Sequence, residues 1–298
     1  MAHPLLTPDL LRRLEQFQLL ASRRAKSSAR GERRSRARGQ SVEFADYRNY
    51  SHGDDFRYID WNLYGRLDRL FVKLYEEERE LPVRIFLDAS ESMAFGDPRK
   101  FDFARQVAAA IGYVALCGFD RVSVLPFPEC PEEAAVRGAL RAVRGRKSSL
   151  AFFQNLNQLG ARGPADLNTA LRRGALEARH AGVAVVLSDF LDPAGYEPGL
   201  TALLGRGFQV NAVQVLAPDE LQPATYGDLR LVDAETGALQ EVTFGRYRLK
   251  AYQQTVQRFC QRLREFCQAR GAHYFMAPSD TPLEHLLLKQ LRQAEVWR

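Results

Sequence analysis

The strongest chemical signal in this chain is the run Leu87-Asp88-Ala89-Ser90-Glu91-Ser92. In a D-x-S-x-S spacing the residues 88, 90 and 92 alternate. On a turn leaving a strand, one carboxylate and two hydroxyls can then face one centre. All three are oxygen donors, and hard cations such as Mg²⁺ (or Mn²⁺) prefer oxygen and retain waters. A second acid, Asp189 in Leu187-Ser188-Asp189-Phe190, can add a carboxylate directly or through water. Such a site has few negative charges and leaves a position open for an acidic residue from a partner. A plainer role suits the same residues: the two Asp cap the helices that follow and the serines satisfy loop amides.

Two enzymatic chemistries compete for these side chains. A phosphatase with an Asp nucleophile wants a second Asp two residues after Asp88, and that place is Ser90. A metal-dependent hydrolase of phosphoesters or nucleic acid wants three or four clustered carboxylates. Asp97, Asp102, Asp166 and Asp192 are the candidates, and each also reads as a turn or cap residue. His3, His52, His180, His273 and His285 include no H-x-x-x-H pair. The chain carries no G-x-x-x-x-G-K-[ST], no G-x-G-x-x-G and no G-x-S-x-G, so neither a nucleotide cradle nor a hydrolase elbow is indicated.

The elements that must position these loops are legible as strand–helix alternation. Val83–Leu87 and Val183–Leu187 read as strands, the second an uninterrupted apolar run of the kind buried in a parallel sheet. Further strands are expected at Leu70–Tyr75, Val122–Leu125, 208–216 and 273–276. Helices are expected at Phe101–Cys117, 132–143, 148–158, 167–180, 197–205, 248–270 and 282–294. Phe101, Ala104, Ala108, Ile111 and Ala115 would share the buried face of the first of these. The alternation predicts an α/β doubly wound, mostly parallel sheet, whose ligands collect at the carboxyl ends of its strands. Leu229–Val232 and Glu241–Phe244, joined through Glu235-Thr236-Gly237, read as a β-hairpin at the sheet edge or inserted into the fold.

At the N-terminus, Thr7 can cap a helix with Pro8 in its first turn and a stripe of Leu10, Leu11, Leu14, Phe17 and Leu20. The expected organisation is a helix at 1–21, a basic loop at 22–40, a segment at 41–81 packing on the main domain, and an α/β domain at 82–298 with the hairpin 228–245.

Composition narrows the class. Hydrophobic residues are 46% and charged residues 26% of 298, so a core of normal size can form. The net charge of +6 has one source: residues 22–38 hold eight Lys or Arg and one Glu. Without them the chain has 34 basic and 35 acidic residues, which argues against an extended nucleic-acid surface. The basic run reads as a solvated tether rather than a contact for nucleic acid or anionic lipid, since it contains no aromatic residue for stacking. No apolar window is long enough for a membrane span, and no secretory signal pattern opens the chain. Cys117, Cys130, Cys260 and Cys267 form no C-x-x-C pair, so a reducing, cytoplasmic setting is expected.

Residues 38–80 resemble the signature segment of the bacterial family called "domain of unknown function 58". The matching residues include Arg38-Gly39, Glu43-Phe44, Asp46-Tyr47-Arg48, Gly53-Asp54-Asp55, Ile59-Asp60-Trp61-Asn62, Arg66 and Val72-Lys73. The downstream D-x-S-x-S run and Ser188-Asp189-Phe190 are similar to the same family's von Willebrand factor A-like half. The resemblance implies that fold with a metal-ion-dependent adhesion site, on which Asp88, Ser90, Ser92 and Asp189 fall. It also implies a non-enzymatic adaptor or co-chaperone role beside an AAA+ ATPase of the MoxR type, with a client protein supplying a carboxylate. One departure is local. The family's second loop reads T-x-[IL]-x-x-A-L, and here the Thr position is Ala165, with Asp166 or water left to replace it and Thr169 a turn later. Finally, Arg48, Arg57 and Arg66 sit among Asp54, Asp55, Asp60, Tyr47, Tyr50, Tyr58, Trp61 and Tyr64. That mixture suits either a buried ion-pair and aromatic layer or a partner surface.

Overall fold

The computed structural model describes residues 5–17, 42–77, 81–128, 142–164, 166–223, 227–232 and 239–290. Contacts divide the chain into two compact units, Met1–Arg23 with Leu81–Arg298, and Arg24–Glu80.

The larger unit is a six-stranded sheet. Its strands are β3 (Pro82–Asp88), β4 (Arg121–Phe127), β5 (Val143–Arg144), β6 (Val183–Ser188), β7 (Gln209–Leu216) and β10 (His273–Pro278). They lie in the order β10-β7-β6-β3-β4-β5, and all neighbours are parallel except β4 and β5. The α/β, mostly parallel expectation therefore holds. The antiparallel edge strand β5 was not anticipated: Val143, expected to end a helix at 132–143, pairs with Val122 instead. The rest of that predicted helix lies almost entirely outside the described residues.

Both faces of the sheet are covered, so alternate residues of one strand enter different cores. Val83, Ile85 and Leu87 join one cluster together with Val185, Leu187, Val213 and Val215. Phe86 joins the other with Ala184, Val186, Val210 and Ala212. This two-sided burial explains why β6 reads as a continuous apolar run: all six of its residues are buried.

On the first face lies α3 (Lys100–Cys117), which is buried nearly all round rather than along a single stripe. The reason is a second layer. Leu10 and Leu14 of α1 (Pro8–Leu14) and Phe152 and Leu156 of α4 (Ser149–Gln158) belong to the same core cluster. Gly112 permits that approach, since a Cβ there would lie 2.3 Å from the Phe152 ring. Thr7 caps α1 as expected, its hydroxyl accepting from the Leu10 amide.

The second face carries α5 (Leu167–Glu177), α6 (Glu197–Gly205) and α8 (Arg246–Ala269), which place Leu171, Leu200 and Leu263 in its core. A short helix α7 (Pro218–Leu221) follows β7. After β10 the chain turns through α9 (Leu283–His285) and one π-helical turn, Leu286–Gln290. The predicted helix at 282–294 is thus interrupted in winding, and its last residues lie outside the described ones. The hairpin strands β8 (Gly227–Val232) and β9 (Leu239–Phe244) pair antiparallel as a separate two-stranded sheet, not on the edge of the main one. Its turn and the basic run 22–38 lie outside the described residues.

In the smaller unit, β1 (Val42–Asn49) pairs antiparallel with β2 (Phe71–Glu77), and α2 (Trp61–Leu67) lies between them in sequence. Asp60 caps α2, accepting from the Asn62 and Leu63 amides, and also accepts from the Tyr47 hydroxyl at 2.9 Å. Arg48 grips Asp54 through two bonds of 2.8 and 2.7 Å, and Arg57 pairs with Asp55. Phe56, Tyr58 and Trp61 are exposed.

Candidate metal-type site at the carboxyl end of the sheet

Asp88 is the last residue of β3 and Ser188 the last of β6, and these strands are parallel neighbours in register at Leu87 and Leu187. Their carboxyl ends therefore open side by side, which brings the loops 88–92 and 188–190 together. The loops hold each other closely. The Ser90 amide and hydroxyl donate to Asp88 Oδ1 at 3.0 and 2.7 Å, and the Ser188 hydroxyl donates to Asp88 Oδ2 at 2.5 Å. Ser90 Oγ lies 3.0 Å from Ser92 Oγ, and the Ser92 hydroxyl donates to Asp189 Oδ2 at 3.4 Å.

Four of the five residues singled out in the sequence are thus assembled into one chain of oxygens. The fifth, Asp166, is not joined to them by any hydrogen bond among the described residues. Its carboxylate accepts from the Thr169 amide at 3.1 Å and caps α5. The short side chain at a helix start satisfies a local amide first. Asp192 behaves likewise, accepting from the Leu167 and Ala194 amides. Ala165 lies outside the described residues.

Three further participants were not singled out. Lys100, at the first turn of α3, is 1% exposed, and its ammonium donates to Asp189 Oδ2 at 2.7 Å and to Glu220 Oε1 at 2.6 Å. Glu220, on α7, accepts from the Ala217 amide with its other oxygen at 2.7 Å. Gln214 donates to the Asp189 carbonyl at 2.9 Å and accepts from the Tyr274 hydroxyl at 2.7 Å. A signal for Lys100 existed: it precedes Ala104, Ala108 and Ile111 by four, eight and eleven residues, on the face expected to be buried.

The electrostatics are uneven. Burial, reinforced by the charge of Asp189, raises the Asp88 carboxyl to about 7 against the hydrogen bonds from Ser188 and Ser90. Burial alone would lower the Lys100 ammonium, but Asp189 and Glu220 outweigh it and hold it above its ordinary range. Among the described residues no cation pairs with Asp88, whose side-chain partners are Ser90 and Ser188. Backbone strain adds to the picture: Phe190, buried, has φ of 61°, a left-handed conformation that costs about 1–3 kcal/mol outside glycine. The Ser188 hydroxyl stabilises it by accepting from the Phe190 amide at 2.9 Å.

The donor set fits a small hard cation. Oxygens bound to Mg²⁺ at about 2.1 Å in an octahedron are about 3.0 Å from their neighbours. The two successive oxygen separations from Asp88 through Ser90 to Ser92 are 2.7 and 3.0 Å, and Asp189 Oδ2 stands outside this trio, 3.4 Å from Ser92. Among the described residues no group of three or more His, Cys, Asp and Glu is placed to hold a metal, so any such site relies on the hydroxyls.

Several known proteins are similar to this chain. Among solved structures, a conserved hypothetical protein BatB from Bacteroides thetaiotaomicron aligns over 72% of this chain and 98% of its own, at 14% identity and TM-score 0.43. A von Willebrand factor type A protein from Catenulispora acidiphila aligns over 76% of this chain and 44% of its own, at 14% identity and TM-score 0.41. An uncharacterized protein of Mycobacterium tuberculosis strain H37Rv is 29% identical over 241 residues, 78% of this chain and 74% of its own length. No helix among the described residues is long and apolar enough to cross a membrane. Residues 46–261, which take in both the charged and aromatic residues from Tyr47 to Arg66 and the 88–92 and 188–190 loops, match one family, and the chain belongs to it: "Protein of unknown function DUF58".

Proposed function

We propose that this chain is a non-enzymatic protein-interaction module centred on a divalent ion, Mg²⁺ or Mn²⁺, at the carboxyl end of its sheet. The observation that carries the proposal is the oxygen trio Asp88, Ser90 and Ser92 on the loop that leaves β3. Asp88 supplies the charge, Ser90 and Ser92 supply neutral oxygens, and Asp189 stands behind them. Asp166 is left out because its carboxylate is committed to the start of α5. A bound ion offers an incoming carboxylate oxygen a coordination position. The protein's own work is to hold three donors in place and keep the site poor in negative charge, so that a client's acid completes it.

The partner implied by the family resemblance is an AAA+ ATPase of the MoxR type, met in the cytoplasm. The hydrolase alternative needs further carboxylates near the ion to hold a second metal or a base. The described residues offer no such cluster, so no observation favours it.

The test is affinity capture from native lysate on the full-length chain, in Mg²⁺ and in EDTA, with Asp88→Asn beside the wild type. The expected result is a MoxR-type ATPase retained in Mg²⁺ and lost both in EDTA and with Asp88→Asn. Retention that ignores both changes would reject the metal-bridged contact. Nucleic acid co-purifying without a protein would favour the hydrolase.

A further inference from the structure

The least expected group near this site is the buried ammonium of Lys100. A lysine is among the side chains least often fully buried, and it persists there only when paired. Here it is paired twice, with carboxylates that arrive from 89 and 120 residues away in the chain.

The geometry of Asp189 shows what the pairing does. Its Oδ1 accepts from the Leu191 amide at 3.0 Å, which fixes the side chain's orientation. Its Oδ2, the oxygen that faces Ser92 at 3.4 Å, is the one Lys100 holds at 2.7 Å. The oxygen that would complete the set of ligands is therefore already occupied by a positive charge. Lys100 in turn is held by a second acid. Glu220 grips it at 2.6 Å, is pinned by the Ala217 amide, and accepts from the Tyr252 hydroxyl of α8 at its own carbonyl. The Glu220 bond ties the ammonium to α7 as well as to Asp189.

We propose that Lys100 is the positioning residue of this site: its ammonium keeps Asp189 out of direct coordination, so that Asp88, Ser90 and Ser92 alone hold the ion. This inference rests on the metal reading above and deepens it. An ion held by one carboxylate and two hydroxyls is bound loosely and retains more positive charge than one held by two carboxylates. It therefore attracts an acidic group from a partner more strongly. Lys100 sets affinity for the ion low and affinity of the loaded site for a carboxylate high. A purely structural Lys100 would neutralise two acids and leave the ion's affinity indifferent to it.

Two charge-conserving double variants of the full chain separate these roles, with Mn²⁺ as the probe and free Mn²⁺ followed by electron paramagnetic resonance. Lys100→Met with Glu220→Gln removes one charge of each sign and releases Asp189. It should bind Mn²⁺ at least about tenfold more tightly than wild type, within the range that neighbours of metal ligands command. Lys100→Met with Asp189→Asn removes the pair itself. It should keep the wild-type Mn²⁺ affinity within about threefold, because Asp189 was never a ligand, whereas loss of a true ligand or its support costs about 10–100-fold. Urea unfolding of each variant confirms that it is folded, and either variant tests the proposal without the other. Unchanged or weaker Mn²⁺ binding in the first, or a loss of tenfold or more in the second, overturns it.

Wild type and Asp88→Asn report on the parent reading separately. If wild type binds Mn²⁺ and Asp88→Asn does not, that reading stands whatever the Lys100 variants do. If wild type binds none, that reading falls. The assignment to Lys100 then falls with it, whereas Mn²⁺ binding by wild type with unchanged affinity in the first double variant overturns that assignment alone.

Discussion

The hydroxyl of Ser188 donates to Asp88 Oδ2 at 2.5 Å, joining the last residues of two strands that are 100 positions apart in the chain. The same oxygen accepts from the Phe190 amide, so one hydroxyl satisfies a buried carboxylate and supports a strained backbone. Ser188 is 1% exposed, so no water replaces it readily. Replacing Ser188 by Ala should cost about 1–3 kcal/mol of unfolding free energy, the penalty for leaving a buried polar partner unsatisfied. Urea denaturation measures this directly, and a loss below about 0.5 kcal/mol would show that the bond contributes little.

A ligand that binds only the folded chain stabilises it by mass action. Mg²⁺ at a hundred times its dissociation constant should therefore add about 2.7 kcal/mol to unfolding free energy, and EDTA should remove it. Asp88→Asn should abolish the response, since it removes the site's ionic ligand. Denaturation curves in Mg²⁺, in EDTA and in Ca²⁺-free buffer check this. A Mg²⁺ response that survives in Asp88→Asn would place the ion elsewhere.

Helix α5 lies close against β3 because position 174 has no side chain. A Cβ on Gly174 would meet the ring of Phe86 at 2.3 Å, and Phe86 is fully buried. Helix propensity favours Ala by about 1 kcal/mol. The overlap costs more, about 1–3 kcal/mol, because the packed ring has nowhere to go. Gly174→Ala should thus be destabilising on balance, and much less so in a Phe86→Leu background. Additive effects in that double-mutant cycle would contradict the contact.

Stability should fall at alkaline pH. Burial raises the Cys267 thiol from near 9 to about 11 and also raises the Tyr274 hydroxyl. The unfolded chain releases the Cys267 proton near pH 9, while the folded chain keeps it until about 11. Stability from this group is therefore whole below pH 9, declines between 9 and 11, and changes no further above that. The two pH units correspond to a loss of up to about 3 kcal/mol. Urea denaturation at pH 8 and pH 10.5 measures it, and Cys267→Ala should make the decline shallower. An unchanged decline would assign it to the other groups raised by burial, Cys117, Cys260 and the tyrosines among them.

Much of this architecture is written locally. The apolar run Val183–Leu187 could only be a strand covered on both faces, and the structure buries every residue of it. Thr7, Pro8 and the leucines behind them specify α1, because a cap, a first-turn proline and a periodic stripe all act within a few residues. The D-x-S-x-S run at the end of an apolar strand marked the loop that the sheet then placed beside Asp189.

Other features have no local cause. β5 exists because Val143 meets Val122, and nothing within its own two residues demands a strand. Asp166 and Asp189 are the same residue type at loop positions, yet one caps its own helix and the other faces a buried lysine. The place of Lys100 on the buried face of α3 is legible, but its partners are not, since those carboxylates approach only through the sheet and α7. The sequence by itself determined the strand–helix alternation, the layering and the identity of the oxygen-bearing loops, because periodicity and capping act over a few residues. Only the tertiary structure decided which charges meet, because pairing of Lys100 with Asp189 and Glu220 is a long-range event that local propensity does not encode.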